Sequence, residues 1–193
     1  NIDASFARDS LASLAGQGQH AAAAQGFRAL KPQLRTPSAR DEIDWRLAQA
    51  EYQNDKQDQA ASRLQALVQR TETDSTGVPA DSTYQRYFDD YVTICYNLGQ
   101  RYRNEERDLR TALKYFEQAT RVASSRRALA ALEAGKLLRN NVRRSVEYLE
   151  MALEEREALS VDDQRDLYRQ LVDRHRRLGN RQEALTYRDR FRA

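Results

Sequence analysis

The feature that most constrains this chain is a weak internal repeat whose anchors fall at helical spacing, clearest at Leu98, Gly99, Tyr102, Ala112, Phe116 and Ala119. A leucine–glycine pair, a tyrosine three residues on, and then small, aromatic and small residues at spacings of four and three describe two antiparallel helices that approach closely. Such a hairpin cannot bury its own apolar face, so it must stack on a neighbour. Composition agrees. Only 7 Gly and 3 Pro occur in 193 residues, leaving few of the turn formers a β fold needs, while helix formers abound. The reading is all-α, and a hydrophobic share of 40% suffices for one core or an elongated array.

Equivalent anchors recur along the chain. A first set is Leu11, Leu14, Gly18, Ala23, Phe27 and Leu30, and a second is Trp45, Ala48, Tyr52, Ala60, Leu64 and Leu67. Thr36-Pro37 precedes the second as a helix cap followed by a proline suited to the first helical position. A fourth set is Ala134, Gly135, Leu138, Ser145, Leu149 and Ala152, and a fifth is Leu171, His175, Gly179, Ala184, Tyr187 and Phe191, with Ser160 as its cap. These sets place repeats at roughly 4–35, 37–70, 84–123, 126–158 and 161–193 in a single repeat domain. The overlong interval between the second and third is read as a polar loop over 71–83 containing Gly77 and Pro79. After it, Tyr84, Tyr87, Phe88, Tyr91, Ile94, Cys95, Leu98 and Tyr102 form one continuous helical face. Its first two turns overhang a regular unit, so Tyr84, Tyr87 and Phe88 either pack beneath the loop, the favoured expectation, or form an exposed aromatic patch of the kind that marks a partner site.

These anchors resemble the tetratricopeptide repeat, in which a degenerate aromatic-or-large, Leu-Gly, Tyr, Ala, Phe, Ala pattern recurs about every 34 residues. The resemblance covers almost the whole chain and is strongest in the third set. It departs from the family in its irregular spacing, in its missing repeat-end prolines and in retaining the Leu-Gly pair at its usual place only once, so related helical repeats of the Sel1 kind or of RNA-processing proteins stay open. It implies an α-solenoid of about five antiparallel helix hairpins stacked in a right-handed superhelix, acting as a protein-interaction scaffold with a concave groove lined by the first helix of each hairpin. The groove residues it implies are Arg46, Gln53 and Asn54, then Tyr96, Gln100, Arg103 and Asn104, then Lys136, Arg139 and Asn140, and finally Arg169, Asp173, Arg176 and Arg177. Such a groove is basic and rich in amides, suited to an acidic or extended peptide. The asparagine and lysine set of the carboxylate-clamp members is not reproduced.

Chemistry of other kinds finds little support. The two histidines, His20 near a turn and His175 at a core-facing anchor, have no nucleophile or metal-ligand partner nearby in sequence, so no catalytic residue, metal site or cofactor is assigned and the chain is read as non-enzymatic. No glycine-rich phosphate loop occurs. The adjacent acids Asp89-Asp90, Glu105-Glu106 and Glu154-Glu155 read as ordinary surface charge, and the lone Cys95 as core packing. Net charge is +3, but residues 164–193 carry +5 and the rest −2, concentrating any attraction for an acidic partner at the C-terminal end. That balance is too small for nucleic acid to be the main expectation, although an RNA-binding helical repeat is retained as an alternative. Another is a periplasmic scaffold of a bacterial envelope or exopolysaccharide-export complex, where a basic groove would guide an anionic polysaccharide. No stretch is long and apolar enough to span a bilayer, and the compartment is left open between cytoplasm and bacterial periplasm. The repeat begins almost at the first residue, as expected of a region excised from a longer protein.

Overall fold

The structure, a computed structural model, describes residues 4–73 and 78–192. Residues 74–77, which include Gly77 of the expected loop, and Ala193 at the end of the fifth expected repeat lie outside the described residues. Ten α-helices follow in order: α1 (Ala4–Gly16), α2 (His20–Leu30), α3 (Pro37–Gln53), α4 (Gln57–Arg70), α5 (Gln85–Asn104), α6 (Leu109–Ala119), α7 (Arg127–Leu137), α8 (Val142–Glu154), α9 (Val161–Leu178) and α10 (Arg181–Arg192). Among the described residues there is no strand, only an isolated antiparallel bridge between Thr73 and Pro79.

Helix boundaries follow from local chemistry. Thr36 accepts a hydrogen bond from Ala39 N at 3.3 Å and Pro37 occupies the first position of α3, where its missing N–H costs nothing. Asp108 caps α6 by accepting from Arg110 N at 3.1 Å and Thr111 N at 3.0 Å. Ser160 caps α9 from Asp163 N at 3.1 Å, with Asp162 and Asp163 placed against the positive end of the helix dipole. At the other end of α9, Gly179 adopts φ 79°, and Asn180 N reaches back to His175 O at 2.9 Å, a left-handed stop that glycine makes without a Cβ penalty.

The described residues form two compact units, 4–73 with 79–94, and 78 with 95–192; the 20-residue α5 contributes its first half to one and its second half to the other. In the first unit, α1 packs on α2, α2 on α3 and α3 on α4. Its main core gathers Ala23, Phe27, Leu30, Ile43 and Leu47, and each of the larger apolar side chains contributes about 1.5–3 kcal/mol by leaving water. Two acids are buried here as well: Asp44 is 3% and Glu51 1% exposed, both on α3. Asp44 accepts from Lys31 Nζ at 2.7 Å and from Arg70 Nη2 at 2.7 Å, and Glu51 from Arg28 Nη2 at 2.7 Å and Arg63 Nε at 2.9 Å. Burial pushes both carboxyl pKa values up, but the hydrogen bonds and charges of these cations outweigh it and hold both below the ordinary values of 3.8 and 4.5.

Tyr87 and Phe88 are buried, and Tyr84 is part-buried with its hydroxyl donating to Asp41 Oδ2 at 3.0 Å. These three do not form an exposed aromatic patch. Tyr87 is held between ring neighbours, Trp45 of α3 at 5.4 Å and Tyr84 at 5.2 Å between centroids, and Tyr84 lines a cleft with Thr71, Glu72, Ala80 and Asp81 of the polar segment.

The second unit is built on close approach. An added Cβ at Gly99 would stand 2.6 Å from the Phe116 ring, and one at Gly135 2.7 Å from Leu149, so these glycines let α5 meet α6 and α7 meet α8 at distances no side chain would permit. Phe116, Leu149, Leu167 and Leu171 are fully buried. Ser145, also fully buried, donates from Oγ to Gly135 O at 2.6 Å and accepts from Arg174 Nε at 3.0 Å, joining α7, α8 and α9 through one hydroxyl.

Candidate binding faces

In the second unit, α5, α7 and α9 bring most of the expected residues into one polar ladder. Tyr96 Oη accepts from Gln100 Nε2 at 2.7 Å, and Gln100 Oε1 accepts from Arg103 and from Asn104 Nδ2. Arg103 also pairs with Glu133, whose other oxygen takes Lys136 Nζ at 3.0 Å. Lys136 bridges on to Asp166 Oδ2 at 2.9 Å, and Asp166 Oδ1 takes Arg169 Nη2 at 2.9 Å. The signs therefore alternate along the ladder. Burial pushes the Asp166 pKa up, yet hydrogen bonds from Lys136, Gln170 and Arg169 hold it below its ordinary value, and burial lowers that of Lys136 while Asp166 and Glu133 raise it to a net increase.

Other expected residues lie off the ladder. Arg139 and Asn140 are exposed beyond α7, and Arg177 Nη1 donates to Arg139 O at 2.8 Å. Arg176 lines a shallow cleft of ≈ 280 Å³ with Val172, Asp173 and Phe191, while Asp173 pairs with buried Arg174. Among the described residues, Arg139, Arg176 and Arg177 have no ion-pair partner.

In the first unit, Arg46 and Gln53 line a cleft of ≈ 430 Å³ between α1, α2, α3 and the first half of α5. Asn54 is the C-cap residue of α3 and is not part of its lining. The lining of the cleft combines apolar Ala12, Ala15, Phe27, Ala50 and Ile94 with polar His20, Gln49, Tyr52, Asp90 and Thr93. Arg46 donates to Glu42 Oε1 through Nε at 3.1 Å and Nη2 at 2.9 Å, and Arg8 reaches Glu42 Oε2 at 3.0 Å. Asp90 Oδ2 accepts from Trp45 Nε1 at 2.7 Å and from Gln49 Nε2 at 3.1 Å.

Four acids, Glu42, Asp90, Glu133 and Asp166, thus belong to these faces although sequence reasoning did not single them out. Glu133 had a local signal, since it lies three residues before Lys136 on the same helical face. Asp90 had none; adjacency to Asp89 made it read as surface charge, and its contact with Trp45 spans 45 residues. Among the described residues, no group of three or more His, Cys, Asp or Glu could hold a metal ion, and no helix is long and apolar enough to cross a membrane.

No protein-family model matches the sequence, and a search of curated proteins returns no match. Solved structures do match in fold. A TPR repeats protein from Bacteroides fragilis aligns with TM-score 0.52 at 16% identity, covering 100% of this chain and 83% of its own. The MamA protein aligns with TM-score 0.52 at 12% identity, covering 97% of this chain and 89% of its own. The chain has a tetratricopeptide-type helical-repeat fold.

Proposed function

We propose that this chain, a tetratricopeptide-type repeat by fold, is a non-enzymatic scaffold that docks a protein partner along the α5–α7–α9 face of its second unit. The observation that carries this reading is the Arg103–Glu133–Lys136–Asp166–Arg169 ladder. It fixes long side chains before any partner arrives, so binding costs less of their rotamer entropy. The amides of Gln100 and Asn104 suit the backbone of an extended segment. Glu133 and Asp166 neutralise the ladder, which leaves the unpaired guanidiniums of Arg139, Arg176 and Arg177 as the groups that favour acidic residues in that segment.

The test is retention of partners from nuclease-treated source extract by the wild type and by the triple variant Arg139→Glu, Arg176→Glu, Arg177→Glu. The ladder itself is left intact, because reversing Arg103 would set a third carboxylate against Glu133. Expected is a protein retained by the wild type and lost from the variant, whose acidic segment, made as a synthetic peptide, binds with the same sensitivity. Retention unaffected by the reversals overturns the assignment of this face. Loss of every retained partner on nuclease treatment, or recovery of anionic polysaccharide in place of protein, overturns the protein-docking reading.

A further inference from the structure

The cleft of the first unit has a chemistry of its own. Beside it Arg86 stacks on the Trp45 ring at 4.4 Å, and the cation that lines the cleft, Arg46, is satisfied by Glu42, as Arg8 is by Glu42 and Asp9. The acid of the cleft is not. Among the described residues Asp90 has no ion-pair partner, and both of its hydrogen bonds, from Trp45 and Gln49, fall on Oδ2. Among the described residues none donates to Oδ1. A half-buried carboxylate with one oxygen fixed by an indole N–H and the other unused is pre-positioned for a cation, which would share this region with the guanidiniums of Arg46 and Arg86, 5.6 and 4.4 Å from the Trp45 ring.

We infer that this cleft receives a lysine side chain of a docked partner chain, its methylenes against Ala12, Ala15 and Ile94 and its ammonium on Asp90 Oδ1. Lysine is favoured over arginine because a guanidinium fork matches both oxygens of a carboxylate at once, and Oδ2 is already doubly occupied, whereas an ammonium is a point charge that one oxygen satisfies. A long aliphatic stem on apolar surface with the charged head at a polar rim is how lysine lowers the cost of partial burial. The inference rests on the scaffold reading but concerns a different unit from the arginines tested above.

The test is selection of phage-displayed random 12-residue peptides on the full chain, followed by calorimetric binding of one selected synthetic peptide and its Lys→norleucine and Lys→Arg forms. Proteins compared are the wild type, Asp90→Asn, which keeps an acceptor for Trp45, and Gly16→Leu, which builds into the cleft from a position where an added Cβ meets nothing within 4 Å. Expected are clones sharing one lysine, with norleucine and Asp90→Asn each weakening binding on the order of tenfold or more. The two changes together should cost little beyond either alone, and Gly16→Leu should abolish binding. Peptides that bind independently of lysine or of Asp90, or as well to Gly16→Leu, overturn this inference and leave the scaffold reading standing. No clones at all overturn this inference as well, while the scaffold reading stands or falls on the extract capture above.

Discussion

Two sets of seams, α3 with α2 and α4 in the first unit and α5 with α6 and α7 with α8 in the second, are held together by opposite means. In the first, α3 sends Asp44 and Glu51 inward, and cations from α2, α4 and the turn after α2 close over them. In the second, glycines are the device, with Gly99 under Phe116 and Gly135 under Leu149, as Gly26 under Leu11 is where α1 meets α2 in the first unit. Stacked hairpins need only that neighbouring helices be complementary; an ion-paired seam and a small-residue seam both satisfy that need. The first buys directional specificity with desolvated charge, and the second gains packing density with nothing to titrate.

The largest effect should come from breaking the ionic seam. Asp44→Ala removes the shared partner of Lys31 and Arg70, cations that are 37% and 44% exposed, Arg70 keeping Asp41, and is expected to cost about 2–3 kcal/mol, read as the shift in the urea midpoint. Breaking the packed seam should cost somewhat less. Gly99→Ala sets a methyl 2.6 Å from a fully buried ring and is expected to lose about 1–3 kcal/mol on the same scale. Acid sharpens the contrast. Because the folded-state pKa values of Asp44 and Glu51 lie below their ordinary 3.8 and 4.5, the stability they contribute is complete above those values and is lost as pH falls through the lowered ones. Amide protection in α3, measured relative to the intrinsic exchange rate, should therefore be lost in acid before that in α8; equal loss would remove the distinction. Smallest is the control. Arg165→Gln breaks an exposed ion pair to Asp162 and should change stability by about 0.5 kcal/mol or less.

The second unit was the more legible in sequence for a physical reason. Leu98, Gly99, Ala112, Phe116 and Ala119 are all buried, so a search for apolar and small residues at helical spacing finds them directly. On α3 the inward face carries Asp44 and Glu51 among its apolar residues, which all but cancels the periodicity that marks a buried stripe. The candidate faces were half legible. Arg103, Lys136 and Arg169 are where the family pattern places them, and their assembly into a ladder is visible. Their neutralising acids lie 30 residues from Arg103 and 30 from Lys136, a partnership that only packing of successive helices creates. Asp90 illustrates the limit best, since its role depends on which of its two oxygens Trp45 and Gln49 reach.

Ser145 occupies the position that alanine holds in the other four hairpins, at Ala23, Ala60, Ala112 and Ala184. Its hydroxyl ties the end of α7 to buried Arg174 of α9, so the consensus residue would here leave Arg174 Nε without its acceptor, with Asp173 still paired at Nη1. The hairpins are consequently not interchangeable parts. An engineer who regularised this chain toward its own average, or spliced one hairpin in place of another, would have to move Ser145 and Arg174 together, as a pair inherited across a repeat boundary.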